Sequence, residues 1–256
     1  MPYMAKNPTS WGPVAPWYKK HLEEPDTYHS QVVLPNLTRM MEVKKGEQVF
    51  DLACGEGFFS RAFASLGAVV SGADIAPELV LLAKKSIPMG TFTTTPSHNL
   101  SGFKSNSFSK IACVLALQNI EKVRETLAEC NRILVSGGTM YIVINHPAFR
   151  IPKSSSWGFD EMSRVQYRRM DSYMKETKEK IVMHPGEKES AQTVSFHRPL
   201  QYYFKAFSGA GFAVTRLEEW ISHRESEEGP RKAAEDVARK EFPLFMAIEL
   251  VKLKSL

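Results

Sequence analysis

The sequence is poor in cysteine and contains no long hydrophobic run. Its three cysteines, Cys54, Cys113 and Cys130, form an odd set without a Cys-x-x-Cys spacing or a neighbouring histidine cluster. Neither a disulfide framework nor a zinc site is therefore expected. The longest uninterrupted apolar run, 111–117, is far shorter than the roughly 20 residues that cross a bilayer. The sequence thus predicts no metal site and no membrane span.

The chain also lacks a secretory signal and any concentration of charge. Residues 1–8 are rich in proline and polar side chains, so a cytoplasmic location is expected. The net charge of +5 is spread evenly over the 256 residues. Because nucleic-acid binders usually concentrate lysine and arginine on one face or arm, a nucleic-acid partner is not favoured. With 43% apolar and 24% charged residues, the composition is that of one large globular unit.

Strand and helix signals alternate through the first 150 residues. Apolar strand patterns are separated by stretches with helical spacing, one of which runs from about Glu121 to Leu134 and is expected to end at Gly137-Gly138. Such alternation predicts an α/β fold with a doubly wound, mostly parallel sheet and helices on both faces. The predicted strands lie near residues 48–54, 68–74, 91–95, 110–115 and 140–144, then 212–219 and 244–252.

The alternation of strand and helix signals stops after residue 150 and resumes near residue 200. The stretch between is polar, dotted with aromatic residues and mostly without a strand signal, so we expect a lid over the carboxyl edge of the sheet. The expected organisation is an N-terminal helical flap at 1–45, a cofactor-binding core at 46–149, an inserted lid at 150–199 and the remainder of the core sheet at 200–256.

A glycine loop follows the first predicted strand and reads Asp51-Leu-Ala-Cys-Gly-Glu-Gly57. Gly55 and Gly57 allow a sharp turn next to a ligand, and Asp74 ends the second strand 19 residues after Gly55, the place of a ribose-binding carboxylate. An NAD-type dinucleotide is disfavoured because Ser60 stands where its fingerprint needs Gly or Ala, and because Asp51 would repel a pyrophosphate. These features favour an adenosine ligand with a cationic amino-acid tail.

Asp51 to Gly57 followed by Asp74 resembles the class I S-adenosylmethionine-dependent methyltransferases of small-molecule type, over about residues 45–150. The resemblance implies a Rossmann-like sheet of seven strands with the last antiparallel. It also implies that the 51–57 loop holds the methionine part of S-adenosylmethionine, that Asp74 binds its ribose, and that Ile75 covers its adenine. The family often has an acidic residue after the third strand, but 95–100 has none, so Ser97, Asn99 or backbone groups could substitute. The cofactor residues so implied are Asp51, Ala53, Cys54, Gly55, Gly57, Asp74, Ile75, Ser97, Leu115 and Gln118.

Several residues are candidates for the acceptor side of the reaction. His146 follows the fifth strand and could accept a proton as a general base, or could instead shape its loop. Gln118 is placed near the transfer point as the second candidate catalytic residue. The arginine-rich run 164–169 could contact phosphates or a carboxylated substrate, although its acidic neighbours favour a solvated helix face. The predicted substrate-binding residues are Tyr18, Tyr28, His29, Asn119, Asn145 and His197.

The sequence therefore predicts methyl transfer from S-adenosylmethionine to a small or medium organic acceptor at an oxygen, nitrogen or carbon atom, by direct in-line displacement. Three alternatives stay open: an RNA or protein methyltransferase with the same core, a non-catalytic module that binds S-adenosylmethionine, and an NAD oxidoreductase. The motif Leu115-Ala-Leu-Gln118 after the fourth strand differs from the Asn-Pro-Pro-Tyr type that serves exocyclic base amines. The oligomeric state is not predicted.

Overall fold

The computed structural model describes residues 24–182 and 192–254, and its centre is a seven-stranded sheet. The spatial order of the strands is β10-β11-β5-β4-β1-β2-β3. Neighbouring strands from β1 to β5 run parallel, whereas β11 is antiparallel to both β5 and β10. The strands of the sheet are β1 (Gln48–Leu52), β2 (Val69–Asp74), β3 (Thr91–Thr94), β4 (Phe108–Val114), β5 (Leu134–Asn145), β10 (Phe212–Trp220) and β11 (Phe245–Lys252).

Helices cover both faces of the sheet, as the alternation in the sequence predicts. Each strand sends successive side chains to opposite faces, so Ile142 and Ile144 of β5 join one core while Tyr141 and Val143 join the other. Helices α4 and α5 complete the first core, and α1, α2 and α3 pack in the second. The helices are α1 (Leu34–Met41), preceded by a π-helical turn (His29–Val33), α2 (Phe58–Ser65), α3 (Pro77–Ser86), α4 (Val123–Ile133), α5 (Leu200–Gly209) and α6 (Lys232–Glu241).

The chain winds from β1 outwards to β2 and β3, then returns to place β4 on the other side of β1. The carboxyl ends of β1 and β4 therefore flank the point where the winding direction reverses, and ligands of open α/β sheets bind in this crevice. None of the helices in the described ranges is long and apolar enough to cross a membrane. In the same ranges, no three His, Cys, Asp or Glu side chains come together in a metal-ligating arrangement.

The prediction that Gly137-Gly138 ends a helix is wrong. Helix α4 stops at Ile133, and β5 begins at the next residue. Strand β4 pairs Phe108 with Leu134 and then Lys110 with Thr139, so residues 135–138 bulge out of the ladder. Gly137 adopts φ +74°, and a Cβ on Gly138 would lie 2.9 Å from the Leu134 side chain. The two glycines thus permit a bulge within the strand, because no other residue fits its backbone without strain.

The insert also differs from the expectation that it holds little strand. Within the described residues it contains two antiparallel ribbons, each isolated from the main sheet. These strands bury few side chains, so their sequences lack the apolar alternation by which strands are predicted. The first ribbon is β6 (Ser155–Asp160) with β7 (Val165–Met170), and the second is β8 (Thr177–Val182) with β9 (Gln192–His197).

The arginine-rich run 164–169 lies on β7, apart from Arg164 in the turn before it, and not on the helix face that its acidic neighbours suggest. The turn before it is closed by the Asp160 carboxylate, which accepts hydrogen bonds from the Met162 and Ser163 amides. A strand places successive side chains on opposite sides. Arg168 therefore points back towards the body of the protein, where its Nε donates to the Phe149 carbonyl at 2.8 Å, whereas Arg169 points outwards and pairs with Asp171.

The second ribbon is tied to the carboxyl edge of the main sheet. The buried Arg198, which follows β9, donates hydrogen bonds to the carbonyls of Ile120 and Glu121 at 3.0 and 3.1 Å. Those carbonyls follow a short 3₁₀ turn, Leu117–Asn119, that continues β4. The insert thus begins beside β5 and ends beside the residues after β4, which brings it next to the crevice.

Candidate functional site

Two cavities lie side by side at the carboxyl edge of the sheet. The first, of about 350 Å³, is bounded by the glycine loop, the end of β2 and the residues after β3 and β4. The second, of about 430 Å³, lies between the residues after β4 and β5, the π-helical turn and the insert. Leu115 and Asn119 line both cavities. Ligands in the two cavities would therefore meet at the end of β4.

The glycine loop is held against the end of β2 by its backbone. The Cys54 amide donates to the Ala73 carbonyl at 3.1 Å, and the Gly55 amide donates to Oδ2 of Asp74 at 2.9 Å. Gly57 has φ +90°, and a Cβ there would lie 3.3 Å from Ala83 on α3. Glycine at this position therefore allows both the turn and the close packing of α2 on α3.

Asp74 lines the first cavity, whose wall also includes Glu121 and Lys122. It is 8% exposed, and burial raises its pKa. Its Oδ1 accepts the Ala76 amide and its Oδ2 accepts the Gly55 amide, each at 2.9 Å. Each carboxylate oxygen can accept a second hydrogen bond. Asp74 can therefore orient the loop and still bind two neighbouring hydroxyl groups of a ribose.

Asp51 lies beneath the glycine loop and does not reach the wall of either cavity. It is fully buried, and Ser60 Oγ donates a 2.6 Å hydrogen bond to its Oδ2. Burial raises the pKa of Asp51 to about 7, and the negative charges of Asp74 and Glu56 act in the same direction. The first cavity thus lies over clustered acidic groups, which suits a cationic ligand and opposes a pyrophosphate.

Glu56 is the one acidic residue of this cluster that is neutralised within the chain. Its two carboxylate oxygens accept hydrogen bonds from Nη1 and Nη2 of Arg61 on α2, at 2.6 and 2.8 Å. This fork-to-fork pairing fixes the middle of the loop from the side of the helix. The acidic character of the site therefore rests on Asp51 and Asp74.

Two non-glycine residues at the cavity wall have left-handed backbone conformations. Ala53 in the loop has φ +57° and Leu115 after β4 has φ +53°. A side chain makes this region costly by roughly 1 kcal/mol or more, and such residues concentrate at functional sites. Leu115 lies at the junction of the two cavities, so its conformation sets the shape of the passage between them.

Gln118 lines the second cavity and has a carbonyl oxygen without a hydrogen-bond donor among the described residues. Its Nε2 donates to the Leu115 carbonyl at 2.8 Å, which fixes the side chain. Its Oε1 is buried and accepts no hydrogen bond from the described residues. A buried carbonyl without a donor is costly, so this atom is suited to accept a hydrogen bond from a ligand's hydroxyl or amine. The structure places Gln118 in the second cavity and not in the first, where it was expected to touch the cofactor.

The sequence did not indicate a binding role for Arg150, and ligand binding by Arg168 was the less favoured interpretation. Both line the second cavity, although they are 18 residues apart and come from different elements. The sequence signal for Arg168 was its position in the arginine-rich run 164–169, for which a carboxylated substrate was one possible ligand. His29, Asn119 and Asn145, three of the predicted substrate-binding residues, line the same cavity.

His146 is not on the wall of either cavity. Its Nε2 is 2.7 Å from Oε1 of Glu219, and its Nδ1 accepts the Ala148 amide at 3.2 Å. Both ring nitrogens are thus used within the chain, and the ring packs against Phe149. Burial lowers the pKa of His146. This geometry favours the loop-shaping role over the general base.

The other predicted residues fall into three groups. Tyr28 bonds Ser222 and His197 bonds the Tyr173 carbonyl, and neither lines a cavity. Tyr18 lies outside the described residues. Cys54 is buried, and burial raises its pKa well above the ordinary value, so it is a packing residue. The predicted cofactor residues that line the first cavity are Ala53, Gly55, Asp74, Ile75, Ser97 and Leu115, whereas Asp51, Cys54 and Gly57 support the loop from behind.

Comparison with known proteins identifies the core around the first cavity. Residues 50–142 match the family model described as a methyltransferase domain. Residues 50–142 form a methyltransferase domain of the class I, S-adenosylmethionine-dependent family. The predicted family, fold and S-adenosylmethionine cofactor are thereby confirmed for this domain.

Two curated methyltransferases are similar to part of this chain. Over 135 residues the chain is 28% identical to a ubiquinone biosynthesis O-methyltransferase of Xanthomonas campestris, which covers 51% of this chain and 52% of the relative. A demethylmenaquinone methyltransferase of Tropheryma whipplei is 30% identical over 111 residues, which covers 43% of this chain and 46% of the relative. The chain thus spans about half the length of the curated relatives it matches.

A solved structure extends the likeness of the methyltransferase fold beyond the matched domain. The crystal structure of an S-adenosylmethionine-dependent methyltransferase from Mesorhizobium loti gives a TM-score of 0.66 at 24% identity, over 85% of this chain and 96% of that chain. The family model ends at residue 142, while the second cavity draws on residues 145–195. The matched domain therefore supplies the wall of the first cavity, and residues beyond it supply much of the wall of the second.

Proposed function

We propose that this chain transfers a methyl group from S-adenosylmethionine to a small organic acceptor. The observation that carries the proposal is the pair of cavities that share Leu115 and Asn119. One has the glycine loop and the acidic groups that suit the cofactor, and the other has the size of a small-molecule site. A transferred group at the end of β4 would lie within reach of both.

The residues of the first cavity fit S-adenosylmethionine part by part. Asp74 offers its two oxygens to the ribose hydroxyls, and the exposed Ile75 offers an apolar surface to the adenine. Asp51 and Asp74 favour the positive charge of the ligand's ammonium and sulfonium groups. When bound, S-adenosylmethionine supplies an electrophilic methyl group that an acceptor lone pair takes in line, leaving a neutral thioether.

The second cavity positions the acceptor for that transfer. Gln118 Oε1 accepts a hydrogen bond from the acceptor's hydroxyl or amine, and Asn119 lies at the junction with the first cavity. Alignment of the acceptor with the methyl group can supply much of the rate, so no buried base is required when the acceptor is already nucleophilic. The proposal therefore gives Gln118 a positioning role and gives His146 a structural one.

A small acceptor is favoured over RNA for three reasons. The second cavity, of about 430 Å³, has the size of a small-molecule site and the insert forms part of its wall. The positive charge is spread evenly along the sequence, whereas nucleic-acid binders usually concentrate it. The two curated relatives carry names that refer to ubiquinone and demethylmenaquinone, which are small molecules. A module that binds S-adenosylmethionine without transfer stays the alternative, because the first cavity alone would serve it.

The proposal is tested by calorimetric titration with S-adenosylmethionine, S-adenosylhomocysteine and NAD, followed by an assay for S-adenosylhomocysteine formation with a library of small acceptors. We expect both adenosyl compounds to bind, NAD not to bind, and at least one acceptor to be turned over. Binding of NAD alone would contradict the assignment of the first cavity. Binding of the adenosyl compounds without turnover of any acceptor would instead support the non-catalytic module.

Replacement of Gln118 by methionine is expected to leave the fold nearly as stable as the wild type while it lowers turnover. The change removes a hydrogen bond to Leu115 worth about 1 kcal/mol, but it also removes an unpaired buried carbonyl that costs about as much. We therefore expect a free energy of unfolding within about 1 kcal/mol of wild type and an unchanged affinity for S-adenosylhomocysteine. Chemical denaturation and turnover assays measure the two effects, and full turnover in the variant would remove Gln118 from the acceptor site.

A further inference from the structure

We propose that the acceptor carries a carboxylate, and that Arg150 and Arg168 bind it in the second cavity. The inference rests on the proposed function, since it names the class of molecule that occupies the acceptor side. It draws on residues outside the matched methyltransferase domain. A single carboxylate held by two guanidinium groups would leave the opposite end of the acceptor pointing towards Gln118 and the junction with the first cavity.

The charge of the second cavity is the first observation. Arg150 and Arg168 line it, and no aspartate or glutamate does so among the described residues. Its remaining polar groups are neutral amides and hydroxyls together with His29, and its apolar wall is formed by Leu115, Ile151, Pro152 and Ile181. An apolar body with one anionic group complements this arrangement.

The lack of a protein partner for these arginines is the second observation. Elsewhere in the chain Arg39, Arg61 and Arg132 each pair with a glutamate. No hydrogen bond or ion pair among residues 24–182 and 192–254 uses the guanidinium of Arg150. An arginine that lines a cavity and keeps its donors unused within the described chain is available to an anion there.

Hydrogen bonds from two of its three guanidinium nitrogens hold Arg168 in place. Its Nε donates to the Phe149 carbonyl at 2.8 Å, its Nη2 donates to Ser155 Oγ at 2.7 Å, and its guanidinium lies 5.0 Å from the ring centre of Trp157. These contacts leave Nη1 without a partner among the described residues. A guanidinium oriented in advance loses little freedom when it binds, which favours recognition of one planar group.

The two guanidinium groups also affect each other. Arg150 is exposed over part of its side chain and Arg168 is half-buried. The partial burial of each lowers its pKa, and the positive charge of Arg150 further lowers the pKa of Arg168. Two like charges held close together at one cavity raise its potential, and an anion between them would relieve the repulsion. Ser155 Oγ is already bonded to Arg168 and to the Ile151 carbonyl, so an anion at this point would bind mainly through the two guanidinium groups. Two planar guanidinium groups match the planar group of a carboxylate.

Ligand-observed NMR with small hydroxylated acids tests this inference in protein saturated with S-adenosylhomocysteine. The probes are 4-hydroxybenzoate, 4-hydroxyphenylacetate and 3-hydroxybutyrate, each measured beside its methyl ester, with phenyl phosphate as a further probe. We expect at least one acid to bind roughly tenfold or more tightly than its ester. Arg150→Gln or Arg168→Gln should each weaken that acid roughly ten- to hundredfold and leave the ester unaffected.

Arg169→Gln is the matched control, because this neighbour on β7 faces outwards and pairs with Asp171. It should bind the acids as the wild type does, and melting curves establish that all variants are folded. Acids that bind no better than their esters, or equal binding in all three variants, would overturn the inference, and tighter binding of phenyl phosphate would overturn the carboxylate in favour of phosphate. Failure of S-adenosylhomocysteine to bind would contradict the proposed function separately, because the preference for acids can also be measured without it.

Discussion

Replacing Asp74 by alanine is expected to raise the dissociation constant of S-adenosylhomocysteine about a hundredfold. The carboxylate faces the first cavity, and both of its oxygens already position backbone amides of the loop and of the start of α3. Loss of the side chain removes its hydrogen bonds to the ribose and frees the Gly55 amide that holds the glycine loop. A hydrogen bond to a charged group contributes about 1.5 to 3 kcal/mol. We expect a total loss of about 3 kcal/mol in binding free energy, which corresponds to roughly a hundredfold rise in the dissociation constant.

A second aspartate separates ligand binding from loop stability. Asp160 also accepts two backbone amides, from Met162 and Ser163, but it lies in the exposed turn between β6 and β7. Asp160→Ala therefore removes the same kind of contact far from the cavity and should leave the affinity unchanged. Calorimetric titration of both variants, with thermal melts beside it, measures the difference. An Asp74→Ala protein that is folded and binds within threefold of wild type would contradict the ribose assignment.

The cofactor side of this site was predictable because it depends on local sequence. A strand, a Gly-x-Gly loop and a carboxylate 19 residues on are all visible in one stretch of chain, and the parallel sheet brings strand ends to one edge. Asp51 was expected to face the ligand, but the structure places it below the loop, bonded to Ser60. Spacing gives the end of a strand on which a residue lies, whereas its depth depends on packing between elements.

The acceptor side was less predictable because it depends on contacts between distant segments. Arg150 and Arg168 meet only because β7 folds back on β6, and neither strand has an apolar alternation that would indicate it. His146 was singled out for its chemistry at a strand end, yet its partner Glu219 is 73 residues away on β10. A titratable residue at the right edge is therefore a weak signal until its hydrogen-bond partners are known.

The pH dependence of cofactor binding should report on Asp51. In the free protein burial raises its pKa to about 7, so it is partly protonated at neutral pH. A cationic ligand above it favours the ionised form and lowers that pKa. Affinity for S-adenosylhomocysteine should therefore be constant above about pH 8 and fall as the pH drops below 7, by roughly tenfold per unit at most. Calorimetry at pH 7 in buffers of different ionisation enthalpy should detect release of about half a proton on binding.

Asp51→Asn should lower the affinity at pH 8, remove the pH dependence below 7 and abolish the proton release.

The same change should raise the melting temperature at pH 8. The pKa of Asp51 in the folded state lies above its value in the unfolded chain, so ionisation of Asp51 destabilises the fold. The resulting loss in the free energy of unfolding reaches its full size above pH 7. The difference in melting temperature between variant and wild type should therefore narrow as the pH falls from 8 towards 4. An affinity for S-adenosylhomocysteine that varies with pH equally in both proteins would show that the titrating group is not Asp51. If the variant is more stable than the wild type but binds S-adenosylhomocysteine more weakly, the charge of Asp51 favours ligand binding and destabilises the fold.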